Sequence, residues 1–252
     1  MSRTPTRAAP PRVLTPGFML LLAAALAALV VLVGLGNWQV RRLHWKEDLL
    51  ATIDTRRAAE PRELDALLAE ATDDPLFRFD YRPVRASGTL EPAEALVYAT
   101  DRGTVGWQVL QPLRLGDGRA LIVNRGFVPD AIIEDRSWRG APTGPVTVEG
   151  LARDPLVAKP NRFVPDNTAD EFYWKDFAAI RAALELEPGS TVPLVLDAGP
   201  TPPGTLPVGG QTIIDLPNNH FGYAVTWYGI AVALIGVVAA LVAGRVRRAR
   251  AG

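Results

Sequence analysis

Two long uncharged apolar runs frame the sequence. The first begins at Gly17 and ends at Gly36; the second follows the polar turn Pro217-Asn218-Asn219-His220 and extends to Gly244. Each has the roughly 20 residues that an α-helix needs to cross a bilayer. The expected division is a tail over residues 1–16, a first span over 17–37, a middle domain over 38–217, a second span over 219–244 and a tail over 245–252. The first run exceeds the usual core of a cleavable signal, and no small-x-small site precedes the tryptophan that follows it. It is therefore expected to remain as an anchor. Trp38 and Trp45, seven residues apart, share a face if the helix continues beyond the apolar run, and the continuation is expected to reach about Arg57.

Between the spans the period shortens. A helix is expected from Pro61, with Leu64, Leu67 and Leu68 at helical spacing and Glu63 in its first turn, where the dipole favours an acid. Strands are expected at residues 84–90, 95–100, 106–115, 120–124, 146–151 and 192–196, with an edge strand at 212–216. The Asp117-Gly118 pair marks a hairpin between the third and fourth strands. Residues 124–129 are expected to leave the fourth strand, and short helices are expected at 131–136 and 176–185. Residues 155–170 form a proline-punctuated loop suited to a binding edge, and residues 199–210, with four prolines, read as an exposed connector. The implied fold class is α+β. Two transmembrane helices flank an antiparallel, β-rich extracytoplasmic domain with a few helices on one side or end.

Charge adds sidedness. The chain holds 27 basic and 27 acidic residues, but Arg3, Arg7, Arg12, Arg245, Arg247, Arg248 and Arg250 all lie in the tails. Every acid lies between the spans, so the middle carries about minus seven. Basic tails favour both termini in the cytoplasm and the middle domain in the periplasm or intermembrane space. Arg41, Arg42 and Lys46 work against this bias, and they read as a snorkelling cluster near phosphates. The C-terminal arginines abut an apolar span, so anionic lipid is a cheaper partner for them than nucleic acid.

Conventional enzyme chemistry is hard to assemble from this chain. It has no cysteine, which removes disulfides, thiolate metal sites and cysteine nucleophiles. No P-loop, Rossmann fingerprint, G-x-S-x-G or H-E-x-x-H pattern occurs. The two histidines, His44 and His220, both border the apolar runs, so a multi-histidine centre inside the middle domain is excluded. Asp73 with Asp74, and Asp130 with Glu134 and Asp135, read as solvated surface.

The candidate chemistry gathers around His220. A helix starting near Asn219 leaves its first amides unpaired, and Asn218 or Asn219 offers a cap. Such a helix end favours anions over cations, and a neutral imidazole is a ligand that iron accepts. Two readings stand. His220 is an axial haem ligand, with Tyr223 and Trp227 lining the porphyrin and Arg41, Arg42 or Lys46 meeting its carboxylates. Alternatively His220 is merely hydrogen-bonded within an aromatic belt of Tyr223, Trp227 and Tyr228. Two small-residue faces suggest close helix packing: Ala23, Ala24, Ala27 and Ala28 in the first span, and Gly222, Thr226, Gly229, Ala233, Gly236 and Ala240 in the second. The second is expected to contact the first span or another membrane protein. Arg125, beside Gly126, suits a cofactor carboxylate or an interface through its guanidinium fork; an ion pair with Asp130 or Glu134 is the alternative.

Three blocks carry a family resemblance. They are Gly36, Trp38, Gln39, Arg42 (or Arg41), Trp45 and Lys46; then Gly106, Trp107, Val109, Pro112, Leu113, Asp117-Gly118 and residues 124–129; then Asn218, Asn219, His220, Tyr223, Ala224, Thr226, Trp227, Tyr228 and Gly229. In order and in two-span layout the chain resembles the surfeit locus protein 1 family of cytochrome c oxidase assembly factors. Phe127 stands where many relatives have Trp. The resemblance implies a non-enzymatic assembly factor of the bacterial inner membrane. It would serve the haem-copper oxidase by helping to insert haem a into subunit I, alongside other assembly factors. It also implies transient haem a binding, with His220 as the leading ligand. The short N-terminal tail, without a long amphipathic transit peptide, favours a bacterial source over a mitochondrial precursor. A scaffold that only stabilises oxidase intermediates, without haem, is the alternative. An enzyme acting on haem and a periplasmic sensor or adhesion domain are more distant ones.

Overall fold

The computed structural model describes residues 14–74, 77–135, 137–139, 144–156, 158–159, 161–168, 171–212 and 218–251. The chain divides into two compact units, one of residues Met1–Leu50 with Leu216–Gly252, the other Ala51–Asp215. Each is described by itself.

The first unit is built on α1 (Pro16–Arg57) and α4 (His220–Ala251). Both helices are long and apolar enough to cross a membrane. They pair antiparallel, Thr15 and Phe18 meeting Arg245 at one end and Gln39 meeting His220 at the other. The shielded seam of α1 starts at Thr15, just before the helix, and runs through Phe18, Leu22, Ala25, Leu29, Leu32, Gly36 and Gln39, spaced alternately three and four residues apart. That seven-residue repeat is the seam of a left-handed helix pair. On α4 the seam runs through His220, Ala224, Tyr228, Ala231, Leu234 and Val238.

Of the two partners expected for the small-residue stripe of α4, the first span is not the one it meets. Gly222, Thr226, Gly229, Ala233, Gly236 and Ala240 are all exposed, and a Cβ added at Gly222, Gly229 or Gly236 would meet nothing within 4 Å. Ala23, Ala24, Ala27 and Ala28 also point away from the seam. Both stripes lie on faces set apart from the heptad positions, so the intramolecular seam uses neither.

The second unit contains β1 (Arg62–Glu63), α2 (Leu64–Asp73), β2 (Arg82–Leu90), β3 (Ala95–Asp101), β4 (Thr104–Leu115), β5 (Ala120–Pro129), β6 (Pro145–Arg153), α3 (Phe177–Ala183) and β7 (Thr191–Ala198). Strand order is β1-β2-β6-β7-β5-β4-β3, and β2 pairs again with β4 through Gly88–Leu115 to Leu90–Leu113. The sheet therefore closes: β2, β6, β7, β5 and β4 form a ring, with β1 and β3 added outside it. Pairing is antiparallel except for β1–β2 and β5–β7.

One face of this ring is lined by Val84, Ala86, Leu113, Leu121, Val123, Leu194 and Leu196, with Leu64 and Leu67 of α2 packed in the same cluster. The other face of β5 carries Ala120 and Ile122, which pack with Ile180 of α3 and Leu184 just beyond it. Burial on both faces explains why residues 120–123 are an unbroken apolar run rather than an alternating one.

Several local expectations change. β5 does not end at Asn124 but continues to Pro129. Its register against β4 shifts between Val109 and Leu110, and Arg125 is the extra, bulged residue. The bulge needs Gly126: its φ is 128°, and a Cβ there would sit 2.1 Å from the Val208 carbonyl oxygen. Phe127 then bonds both ways with Val208 of the proline-rich connector. Glu63 is not in a first helical turn. It lies in β1, pairs opposite Arg85 and leaves Asp65 as the acid in the first turn of α2. The helix expected at 131–136 is a short 3-10 turn over Asp130–Ile132, with Arg136 outside the described residues. Asp176, expected to begin the next helix, instead caps it, its carboxylate accepting from the amides of Ala178 and Ala179. Most of the edge strand expected at 212–216 also falls outside the described residues.

Candidate functional site

Four consecutive residues of α1, from Gly36 to Gln39, meet just two residues of α4. The Nδ1 of His220 lies 2.7 Å from the Oε1 of Gln39. The Trp38 ring stands edge-on to the imidazole, with centroids 6.4 Å apart at 83°. Two turns further along α4, the Tyr228 hydroxyl donates to Asn37 Oδ1 at 2.7 Å. Its ring occupies the space beside Gly36, where an added Cβ would fall 2.6 Å from Cε1. The glycine is what lets the two helices approach here.

His220 is the first residue of α4, and the Asn219 carbonyl accepts from the Tyr223 amide at 3.3 Å. Among the described residues no hydrogen-bond partner meets His220 Nε2. Asn218 Oδ1, two residues earlier, is buried and has no partner either. Trp227 is half-buried beside the seam, whereas Tyr223 is 57% exposed and lies off it. Arg42 is exposed, its guanidinium stacked 3.8 Å over the Trp45 ring. His220, Asn219, Tyr223, Trp227 and Arg42 thus all belong to the helix pair.

Arg125 belongs to the other unit. The bulge leaves it half-buried, and its guanidinium donates to Gln111 Oε1 at 2.8 Å. Burial pushes its pKa down from the ordinary guanidinium value. It borders an open groove of about 910 Å³ that Arg57, Val148, Glu149, Pro200 and Thr201 also line. Asp130 accepts from the Trp107 indole at 2.8 Å.

Sequence reasoning gave no role to two features. The first is Gln39, which lies 181 residues from His220. The available signal was the amide pair Asn37 and Gln39 just after an apolar run, where polar side chains need partners. The second is Asp197, at the end of the apolar strand β7 and 5% exposed. It accepts from Asn124 Nδ2 at 2.8 Å, Lys175 Nζ at 3.2 Å and Thr212 Oγ1 at 3.1 Å, and Arg153 lies 3.6 Å away. Burial alone would raise its pKa; Lys175, Asn124 and Arg153 outweigh this and hold the carboxyl below its ordinary range.

Among the described residues no group of three or more histidines, aspartates or glutamates is arranged to hold a metal. Around His220 the helix pair offers one open imidazole nitrogen and flat aromatic rings, and α1 also carries the Arg42 guanidinium. That donor set can supply a single ligand to a metal whose remaining ligands come from elsewhere.

A model of the SURF1 family matches residues 26–232. A SURF1-like protein of Monosiga brevicollis is 35% identical over 235 residues, covering 85% of this chain and 84% of the relative. Surfeit locus protein 1 of Homo sapiens is 33% identical over 223 residues, covering 79% and 70%. That of Mus musculus is 33% identical over 218 residues, covering 79% and 68%. The matched stretch takes in the paired helix ends and the whole strand ring, and the chain belongs to the SURF1 family.

Proposed function

We propose that this chain is an assembly factor for haem-copper cytochrome c oxidase rather than an enzyme, and that it holds haem a transiently while assisting its insertion into subunit I. The observation that best supports this reading is the setting of His220. Its imidazole is held through Nδ1 at the start of an apolar helix, with no partner at Nε2 among the described residues and with Trp38 edge-on beside it. The residues present fit such a cargo. An unprotonated imidazole nitrogen is a ligand that iron accepts. Trp227 and Tyr223 offer flat apolar surface. Arg42 carries a guanidinium group of the kind that pairs with carboxylates. Haem a, when bound, brings the iron and porphyrin that the oxidase requires. One protein ligand rather than two makes for a weak hold, which suits a carrier that gives its cargo away.

On this reading the helix pair lies in a bacterial inner membrane among lipids, with oxidase subunit I and other assembly factors as protein partners and nucleic acid as none. The tail arginines support both termini in the cytoplasm and the strand ring in the periplasm.

The test is purification in mild detergent from cells that make haem a, followed by pigment extraction. The unmodified protein is expected to show an absorbance band and extractable haem a. His220→Ala should lose most of both while its level and membrane insertion stay near normal. A full spectrum in the variant removes His220 as the ligand. Absence of haem a from the unmodified protein, with oxidase maturation still dependent on it, would favour the scaffold reading.

A further inference from the structure

We infer that Gln39 is a positioning residue for His220: its side-chain oxygen keeps the imidazole in the Nδ1–H form and so leaves Nε2 as the open ligand atom. The inference rests on the reading of His220 as a ligand of haem a.

An amide oxygen accepts hydrogen bonds and cannot donate them. At 2.7 Å from Gln39 Oε1, the Nδ1 of His220 must therefore carry the proton and donate it. A neutral imidazole has one ring proton, so the Nε2 lone pair is left uncovered. Histidines that bind metals commonly donate their second ring N–H to a carbonyl or carboxylate, which fixes the ring and raises its basicity. Gln39 is equipped for that part. It is 8% exposed, so its amide has little water to turn to and its partner matters.

The neighbours of Gln39 hold the geometry. Gly36 and Asn37 fix Tyr228, two turns along α4, which sets the position of that helix against α1. Trp38 packs against the imidazole in a T-shaped arrangement. The acceptor's chemistry also matters. A carboxylate in this place would push more electron density onto the ring and bind iron more firmly, but its desolvation would be costly. A neutral amide orients the imidazole and strengthens it less, as a temporary hold requires.

The experiment uses the full-length protein in detergent, prepared without haem a and with ¹⁵N-labelled histidine rings. The chain has two histidines, so His44→Gln leaves the signals of His220 alone. At a pH where imidazole is neutral, His220 should show a protonated Nδ1 and an unprotonated Nε2. A predominant Nε2–H form overturns the inference, whatever happens to haem. Gln39→Leu, which keeps the bulk and removes the acceptor, should lose that preference and lower haem a affinity about 10–100-fold. Wild-type affinity and spectrum in this variant also overturn it. Should Gln39→Leu fail to accumulate, Gln39→Glu decides: it should keep the Nδ1–H form and bind haem a with a lower reduction potential. An unshifted potential counts against Gln39. If the unmodified protein takes up no haem a, the carrier reading fails by itself, and the ring-nitrogen spectrum still decides what Gln39 does to His220.

Discussion

Asp197 and His220 are both polar groups next to apolar surroundings, and the chain treats them in opposite ways. Asp197, nearly inaccessible, is met by Asn124, Lys175, Thr212 and Arg153, contributed by two strands and two loops. His220, half-exposed, has one neutral hydrogen-bond partner and one ring nitrogen left over. A buried charge with every acceptor site engaged ties elements together and has nothing to offer a ligand. A ring satisfied on one side only is held in place and still has chemistry to give. The strand ring spends its polar groups on its own architecture, and the helix pair keeps one in reserve.

The largest expected effect breaks the saturated side. Asp197→Ala would leave Lys175 and Arg153 beside an empty pocket, costing about 3–5 kcal/mol and lowering the melting temperature by on the order of 10 °C. Tryptophan fluorescence during thermal unfolding in detergent would show it. A melting point within a degree or two of normal would mean that the network does not hold the ring together. Gly126→Ala comes next: the positive φ alone costs about 1–3 kcal/mol, and the clash with Val208 adds to it. Limited proteolysis should then open the connector around Val208 first.

Acid should act more mildly on the same carboxylate. Because the folded pKa of Asp197 is depressed, its contribution is present above the unfolded value of about 3.9 and is lost as pH falls through the folded one. Asp197→Asn should flatten that part of the acid limb in a pH series of unfolding curves. The smallest effect belongs to the open side. His220→Ala removes one neutral hydrogen bond and leaves the buried Gln39 oxygen without it, which should cost about 1–3 kcal/mol. A loss as large as that of Asp197→Ala would erase the distinction between the two clusters and make His220 a structural residue.

Much of the frame is legible in the sequence because burial writes directly into residue type. The alternation in residues 84–90 and 146–151 and the Asp117-Gly118 turn place strands close to where they lie. Ring closure is not legible, because β2–β4 pairing joins distant segments through backbone groups that any residue carries. The bulge at Arg125 is hidden for a related reason: Gly126 reads as a break until the strand opposite is known. The small residues of α4 do not mark the intramolecular seam, which is set by Ala224, Tyr228 and Ala231 on another side; their regularity alone does not say which partner a face meets. At the candidate site His220 stands out by rarity, whereas Gln39 becomes visible only when the helices are paired.

The order in which the ring closes bears on how the chain is made. β7, ending at Ala198, is the last strand among the described residues, yet it lies between β6 and β5 in the middle of the sheet. Synthesis at about 5–20 residues per second therefore leaves the earlier strands waiting, their central slot open, until almost the whole unit has emerged. Non-local pairing of this kind is slow to form and exposes unpaired edges meanwhile. α4 starts at His220, so only 21 residues separate the strand that completes the ring from the helix that carries the histidine. At that rate of synthesis they take only a few seconds to make. The ring acquires its keystone and the imidazole reaches its partner helix nearly together, and a chain cut short before Ala198 would have neither.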